Sequence, residues 1–199
     1  TDRAAAKTGA RIVRYGFALW LMVLLAPSAL AESGYQAVEA LMESPASLQG
    51  RFEQVKHLAS LDTEIQSSGR FAYEEDVEIS WHTQVPIESL LRLTPNQITS
   101  EQGGTLLSQL ETRSNPVVEL FSEIFFGVMT ARWDRLDKHF SAETHVSGSD
   151  WRATLIPREA RVKRVISRVE LQGDRNLRQV LLYEEGGDWT RIQFHDLQQ

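Results

Sequence analysis

The sequence predicts a mainly β domain of the α+β class, built on one antiparallel sheet with few helices to cover it. Two observations carry that expectation. Apolar residues recur at every second position in segment after segment, and the segments are separated by tight-turn residues with no helical stretch between them. A third observation sets off the middle of the chain. From Pro116 to Met129 the sequence is apolar on most sides of a helix, behind a Pro placed as a first helical residue.

The chain opens with residues 1–31, which follow the plan of a cleavable signal peptide. Arg3, Lys7, Arg11 and Arg14 accompany an apolar run from Tyr15 to Leu25, then Pro27 and the small residues Ala29 and Ala31 around Leu30. The run is shorter than the roughly 20 residues that cross a bilayer as a helix, which favours cleavage over anchoring. Export to an envelope compartment is the expectation, with residues 32–199 as one domain.

Ser33 and Gln36 have the spacing of a capping box, and Tyr35, Val38, Leu41 and Met42 then recur at helical spacing until Pro45. Beyond Pro45 the period becomes two: Leu48, Gly50, Phe52 and Gln54 share a face. Gly69, Phe71 and Tyr73, then Val77, Ile79 and Trp81, alternate on either side of Glu74, Glu75 and Asp76, and read as a hairpin. Short strands are expected at 89–94, 97–101 and 105–110, the last two joined by Gly103 and Gly104. After the apolar helix, Trp133, Leu136 and Phe140 suggest a second one over 131–140. The last third reads as strands at 151–156, 165–171, 177–183 and 189–194, divided by Gly148, Gly173 and the Gly186–Asp188 turn.

Composition excludes several functions. Taking four basic residues and one acidic residue away with residues 1–31 leaves 17 Lys and Arg against 26 Asp and Glu, a formal charge of −9, a poor match to a nucleic acid. The chain has no cysteine, so disulfides, zinc-thiolate sites and thiol-linked lipid anchors are excluded. His57, His82, His139, His145 and His195 fit no metal-ligand spacing, and neither a phosphate loop nor a nucleophile elbow is present. The sequence therefore predicts no enzyme, no cofactor and no metal.

A long sheet with one apolar face has to cover it. Phe52, Phe71, Tyr73, Ile79 and Trp81 from strands, with Leu120, Phe121, Ile124 and Phe125 from the apolar helix, either fill an ordinary core or line a cavity for a hydrophobic guest. Periodicity does not decide between the two.

The strand with Gly50, Phe52 and Gln54, the glycine-led strand of Gly69 and Phe71, and Trp81 followed five positions later by Pro86 resemble the opening of the LolA-like periplasmic outer-membrane lipoprotein carriers, in a divergent branch. Gly127 and Met129, Leu136 and Phe140, and Trp151, Ala153 and Leu155 running to Pro157 are similar to later family features. The resemblance spans nearly the whole mature chain on short motifs. It implies a strongly curved, incomplete antiparallel barrel with a helical lid. Such a carrier, a monomer, receives acylated protein or lipid cargo from an inner-membrane exporter and hands it to an outer-membrane acceptor. It places the cavity at Phe52, Phe71, Tyr73, Ile79, Trp81, Leu120, Phe121, Ile124 and Phe125, and the lid at Tyr35, Val38, Leu41 and Met42. One departure stands out: Glu75 and Asp76 occupy positions where typical carriers have the Arg-Pro whose arginine helps to latch the lid.

The basic cluster Arg158, Arg161, Lys163, Arg164 and Arg168 is read either as a solvated edge or as a contact for an anionic headgroup or acidic partner. The alternative function is a periplasmic domain of the same architecture that senses lipid or lipoprotein and signals to a membrane regulator.

Overall fold

The computed structural model describes residues 35–111, 126–129 and 132–199. The expected signal peptide, Ser33, and the expected cavity residues Leu120, Phe121, Ile124 and Phe125 lie outside them. Among the described residues, no helix is long and apolar enough to cross a membrane.

A short helix α1 (Gln36–Glu39) is followed by six strands: β1 (Ser47–Leu58), β2 (Thr63–Glu74), β3 (Glu78–Val85), β4 (Ser89–Leu93), β5 (Gln97–Gln102) and β6 (Thr105–Glu111). A helical turn at 126–129 and the helix α2 (Trp133–Asp137) precede β7 (Phe140–Ser147) and β8 (Asp150–Pro157). The helix α3 (Ala160–Lys163) leads into β9 (Ile166–Gly173), β10 (Leu177–Glu184) and β11 (Trp189–Gln198).

The eleven strands form one antiparallel sheet in the order β6-β5-β4-β3-β2-β1-β11-β10-β9-β8-β7. It consists of two meanders joined where β1 pairs with β11, and β6 and β7 are its outermost strands among the described residues. The sheet is thus an incomplete barrel, as expected. Hairpin chemistry makes the meanders. Gly103 and Gly104 both have positive φ, the pair of left-handed residues that a type I′ turn needs between β5 and β6. At the β2–β3 reversal Asp76 has φ +56°, and the Val77 N–H closes the turn on the Glu74 carbonyl at 3.2 Å.

Register collects the alternating apolar residues on one face, here called inner. Phe52 lies opposite Phe194 and Gly69, Phe71 opposite Trp81, Tyr73 opposite Leu48 and Ile79, and Ile79 opposite Leu93. On the other meander Leu171 faces Ala153 and Val180, and Val169 faces Leu155 and Leu182. A one-residue slip of any strand would turn this whole set to water, and that fixes the register.

Phe126, Val128, Met129, Trp133 and Leu136, from the chain between β6 and β7, are buried in the same core as Tyr35, Val38 and Met42. Two expectations need correction here. The second helix covers 133–137, and Phe140, expected to be helical, begins β7, a strand the sequence reading did not contain. The N-terminal helix is a single turn instead of a run to Pro45.

Candidate functional site

The inner face changes character along the strands. Near one end, Phe52, Phe71, Trp81 and Phe194 form an aromatic cluster. Trp81 stacks on Phe52 with centroids 3.8 Å apart and presents its plane edge-on to Phe194 at 6.1 Å, while Phe71 meets Phe194 edge-to-face at 5.2 Å. Further along β1 the same face carries Gln54 and then Lys56, whose Nζ donates to Glu184 Oε1 at 2.8 Å. The inner face is therefore greasy at one end and ionic at the other.

Cover is uneven. Phe52, Phe71, Tyr73 and Ile79 are fully buried, whereas Trp81 and Ile98 are half-buried and Leu91, opposite Trp81, is 39% exposed. All of β6 is exposed. The cavity residues expected on strands thus share one face, and Trp81 stands where burial gives way to solvent.

The short helices owe their order to packing, because four or five residues do not hold a helix in water. They are tied to the β7–β8 side. The Tyr35 hydroxyl donates to the Phe140 carbonyl at 3.0 Å, and its ring lies 5.6 Å from that of Trp133. Trp133 packs edge-to-face on Trp151 at 5.6 Å, and Trp151 Nε1 donates to the Asp174 carbonyl at 2.6 Å. On the β2 side, Phe126 meets Tyr73 edge-to-face at 6.3 Å. Of the expected lid, Tyr35, Val38 and Met42 are buried and Leu41 is partly buried against the same core.

Burial pushes the Tyr35 hydroxyl up to about 12, with the Asp137 carboxylate adding to the effect and Arg158 opposing it. The protonated form is the one that folding favours. This contribution is complete below pH 10 and is lost as pH rises through about 12. Wild-type protein should lose thermal stability between pH 10 and 12 more steeply than Tyr35→Phe, a difference read from melting curves of the two proteins at matched pH.

The basic cluster is not a free patch. Arg158 donates to the Asp137 and Phe140 carbonyls and to Asp137 Oδ1, closing the turn between α2 and β7. Arg161 pairs with Glu159 at 2.6 Å, and Arg168 pairs with Glu170 at 2.9 Å while lying over the Tyr183 ring. Hydrogen bonds from His139 and then Arg161 hold the Glu159 carboxyl below its ordinary range. Lys163 and Arg164 are exposed. Glu75 and Asp76 occupy the β2–β3 turn, where the Glu75 N–H donates to the Ala46 carbonyl at 2.8 Å.

Trp133 lies on the second helix that its spacing predicts, and the sequence marks no site role for it. It is 1% exposed, and its indole N–H has no acceptor among the described residues. Its spacing from Leu136 was the only available signal, and that pattern says nothing of polar satisfaction. Among the described residues no group of three His, Asp or Glu side chains could hold a metal ion.

The chain is similar to LolA superfamily structures. It aligns with a LolA superfamily protein from Nitrosomonas europaea at 7% identity and a TM-score of 0.43, over 80% of this chain and 89% of that one. A domain of an outer membrane lipoprotein-sorting protein from Vibrio parahaemolyticus aligns at 12% identity and a TM-score of 0.40, over 82% and 89%. The Pseudomonas aeruginosa MucA/MucB complex aligns at 17% identity and a TM-score of 0.39, with 84% of this chain matched to 57% of that one. No family model matches the sequence, and no curated protein matches it.

Proposed function

We propose that this protein is a periplasmic carrier that binds the acyl chains of a lipoprotein or related lipidated cargo against the inner face of the sheet and transfers it towards the outer membrane. The observation that carries the reading is the incomplete cover of a continuous apolar face. Among the described residues, helical residues pack on β2 and β7–β9, and Trp81, Leu91 and Ile98 are part-exposed. The polarity gradient gives a bound guest its orientation, with hydrocarbon at the Phe52–Trp81 end and polar parts at the Lys56–Glu184 end.

The aromatic cluster is closely packed, so a guest enters only as Trp81 swings off Phe52. That movement is inexpensive for a half-buried ring and costly for a fully buried one. Each acyl methylene taken from water is worth roughly 0.8 kcal/mol, which makes escape into water slow and direct hand-over to a competing groove necessary. The work is binding and release, with no reaction assigned. Donor and acceptor are an inner-membrane exporter and an outer-membrane acceptor.

Native mass spectrometry of gently purified protein tests the reading. A lipid-sized adduct that disappears on delipidation and returns on adding an acylated peptide is the expected result. Protein that never takes up an acyl ligand would end the proposal.

A further inference from the structure

The face of the sheet away from the core carries a groove of about 740 Å³ over β1–β4, floored by the small residues Gly50, Ala72 and Ser80. Arg51, Arg70, Arg92 and His82 line it. Register sets part of this lining in a row: Arg51 on β1 lies opposite Arg70 on β2 and Arg70 opposite His82 on β3, and His195 on β11, outside the groove, continues the row opposite Arg51. Two arginines directly opposite one another work against strand pairing.

The other basic side chains that line the groove are compensated. Arg51 pairs with Asp196, Arg92 lies 3.6 Å from Glu78, and His82 lies 2.9 Å from Glu88. Arg70, at the centre, is exposed and has no hydrogen-bond or ion-pair partner among the described residues. An uncompensated cation in the middle of a basic row, in a chain of net charge −6, is an unfilled position.

We propose that this outer groove docks an extended, acidic segment of a partner protein. Four strands in a row span about 14 Å at the spacing of about 4.8 Å, a length that about five extended residues cover. One phosphate or carboxylate would meet only two of the four basic side chains. The Arg70 guanidinium fork meets one peptide carboxylate bidentately, and Arg51 and Arg92 in the same groove add positive charge beside it. Glu78 and Asp196 in the same groove work against a broad anionic membrane surface. The docking surface lies on the opposite face of the sheet from Phe52 and Trp81, so a partner and a guest can be held together.

Fluorescence anisotropy of a hexaglutamate peptide with an uncharged fluorophore is the test, with phosphatidylglycerol vesicles as the second arm. Saturable peptide binding is expected, weakening about tenfold between low and moderate salt as exposed charges are screened. Arg70→Glu should weaken it a further tenfold or so and Arg70→Gln by about threefold, while Arg168→Glu, beside Glu170 and Tyr183, leaves it unchanged. Melting curves establish that each variant is folded, and Arg70→Gln keeps the test valid if charge reversal disturbs the sheet. Absence of peptide binding, binding indifferent to both Arg70 variants, or binding to vesicles alone would each overturn the proposal.

Discussion

Trp81→Glu should weaken binding of a fluorescent fatty-acid probe about a hundredfold while leaving the protein folded. Trp81 is half-buried, and its ring covers Phe52 where the inner face opens to solvent. An entering chain would lie in the space this ring vacates and would exchange water for contact along several methylenes. A carboxylate there removes contact with about four of them, roughly 3 kcal/mol, or two orders of magnitude in affinity. Trp81→Leu restores an apolar surface and should stay within about fivefold of wild type, since it gives up only part of the contact area. Ile156→Glu supplies the control. Ile156 is 38% exposed on β8, and its alternation with buried Leu155 and Pro157 places it on the outer face. The same charge at that position should leave the probe's affinity untouched. Unaltered binding by Trp81→Glu would remove the inner-face cargo site.

The expected inner-face residues could be read from sequence because burying one side of a sheet forces a period of two. Leu48 and Phe52, Phe71 and Tyr73, and Ile79 and Trp81 could not alternate otherwise and still reach one core. β7 escaped notice for the same physical reason. In Phe140–Ser147 only Phe140 is fully buried, so the alternation is faint, and the helical spacing of Trp133 and Leu136 runs on into Phe140. The short α1 shows the opposite failure, where a helical pattern from Tyr35 to Met42 outlasts the helix that tertiary packing requires.

Charge was harder to read than packing. Arg158, Arg161, Lys163, Arg164 and Arg168 are close in sequence and read either as a solvated edge or as a joint contact, and in the structure Asp137, Glu159 and Glu170 each take one of them. His195, Arg51, Arg70 and His82 are scattered in sequence and meet only because β1 pairs on both sides and β2 joins β3. A row that crosses strands is a property of register, and no local window contains register. The outer groove therefore depends on the β1–β2–β3 pairing that also assembles the inner cluster.

That shared dependence gives the backbone at Gly69 a large expected effect. Gly69 sits between Phe52 on β1 and Thr83 on β3, at the point where the β2–β3 register shifts. A Cβ there would come within 1.9 Å of the His82 carbonyl oxygen and 2.9 Å of the Thr83 Cα. Neither neighbour is a flexible side chain, so Gly69→Ala has to push β2 and β3 apart. Such overpacking costs about 3 kcal/mol, which in a domain of this size lowers the melting temperature by roughly 6 to 12 °C. Gly186→Ala adds its methyl where no atom lies within 4 Å and should shift stability by no more than about 0.5 kcal/mol. Because Phe71 faces Trp81 across the same pair of strands, separating them also loosens the Phe52–Trp81 stack. Gly69→Ala should accordingly lower the melting temperature and red-shift and quench tryptophan emission, whereas a melting temperature within 2 °C or so of wild type would show that the strands yield without cost and that register is not fixed at this point.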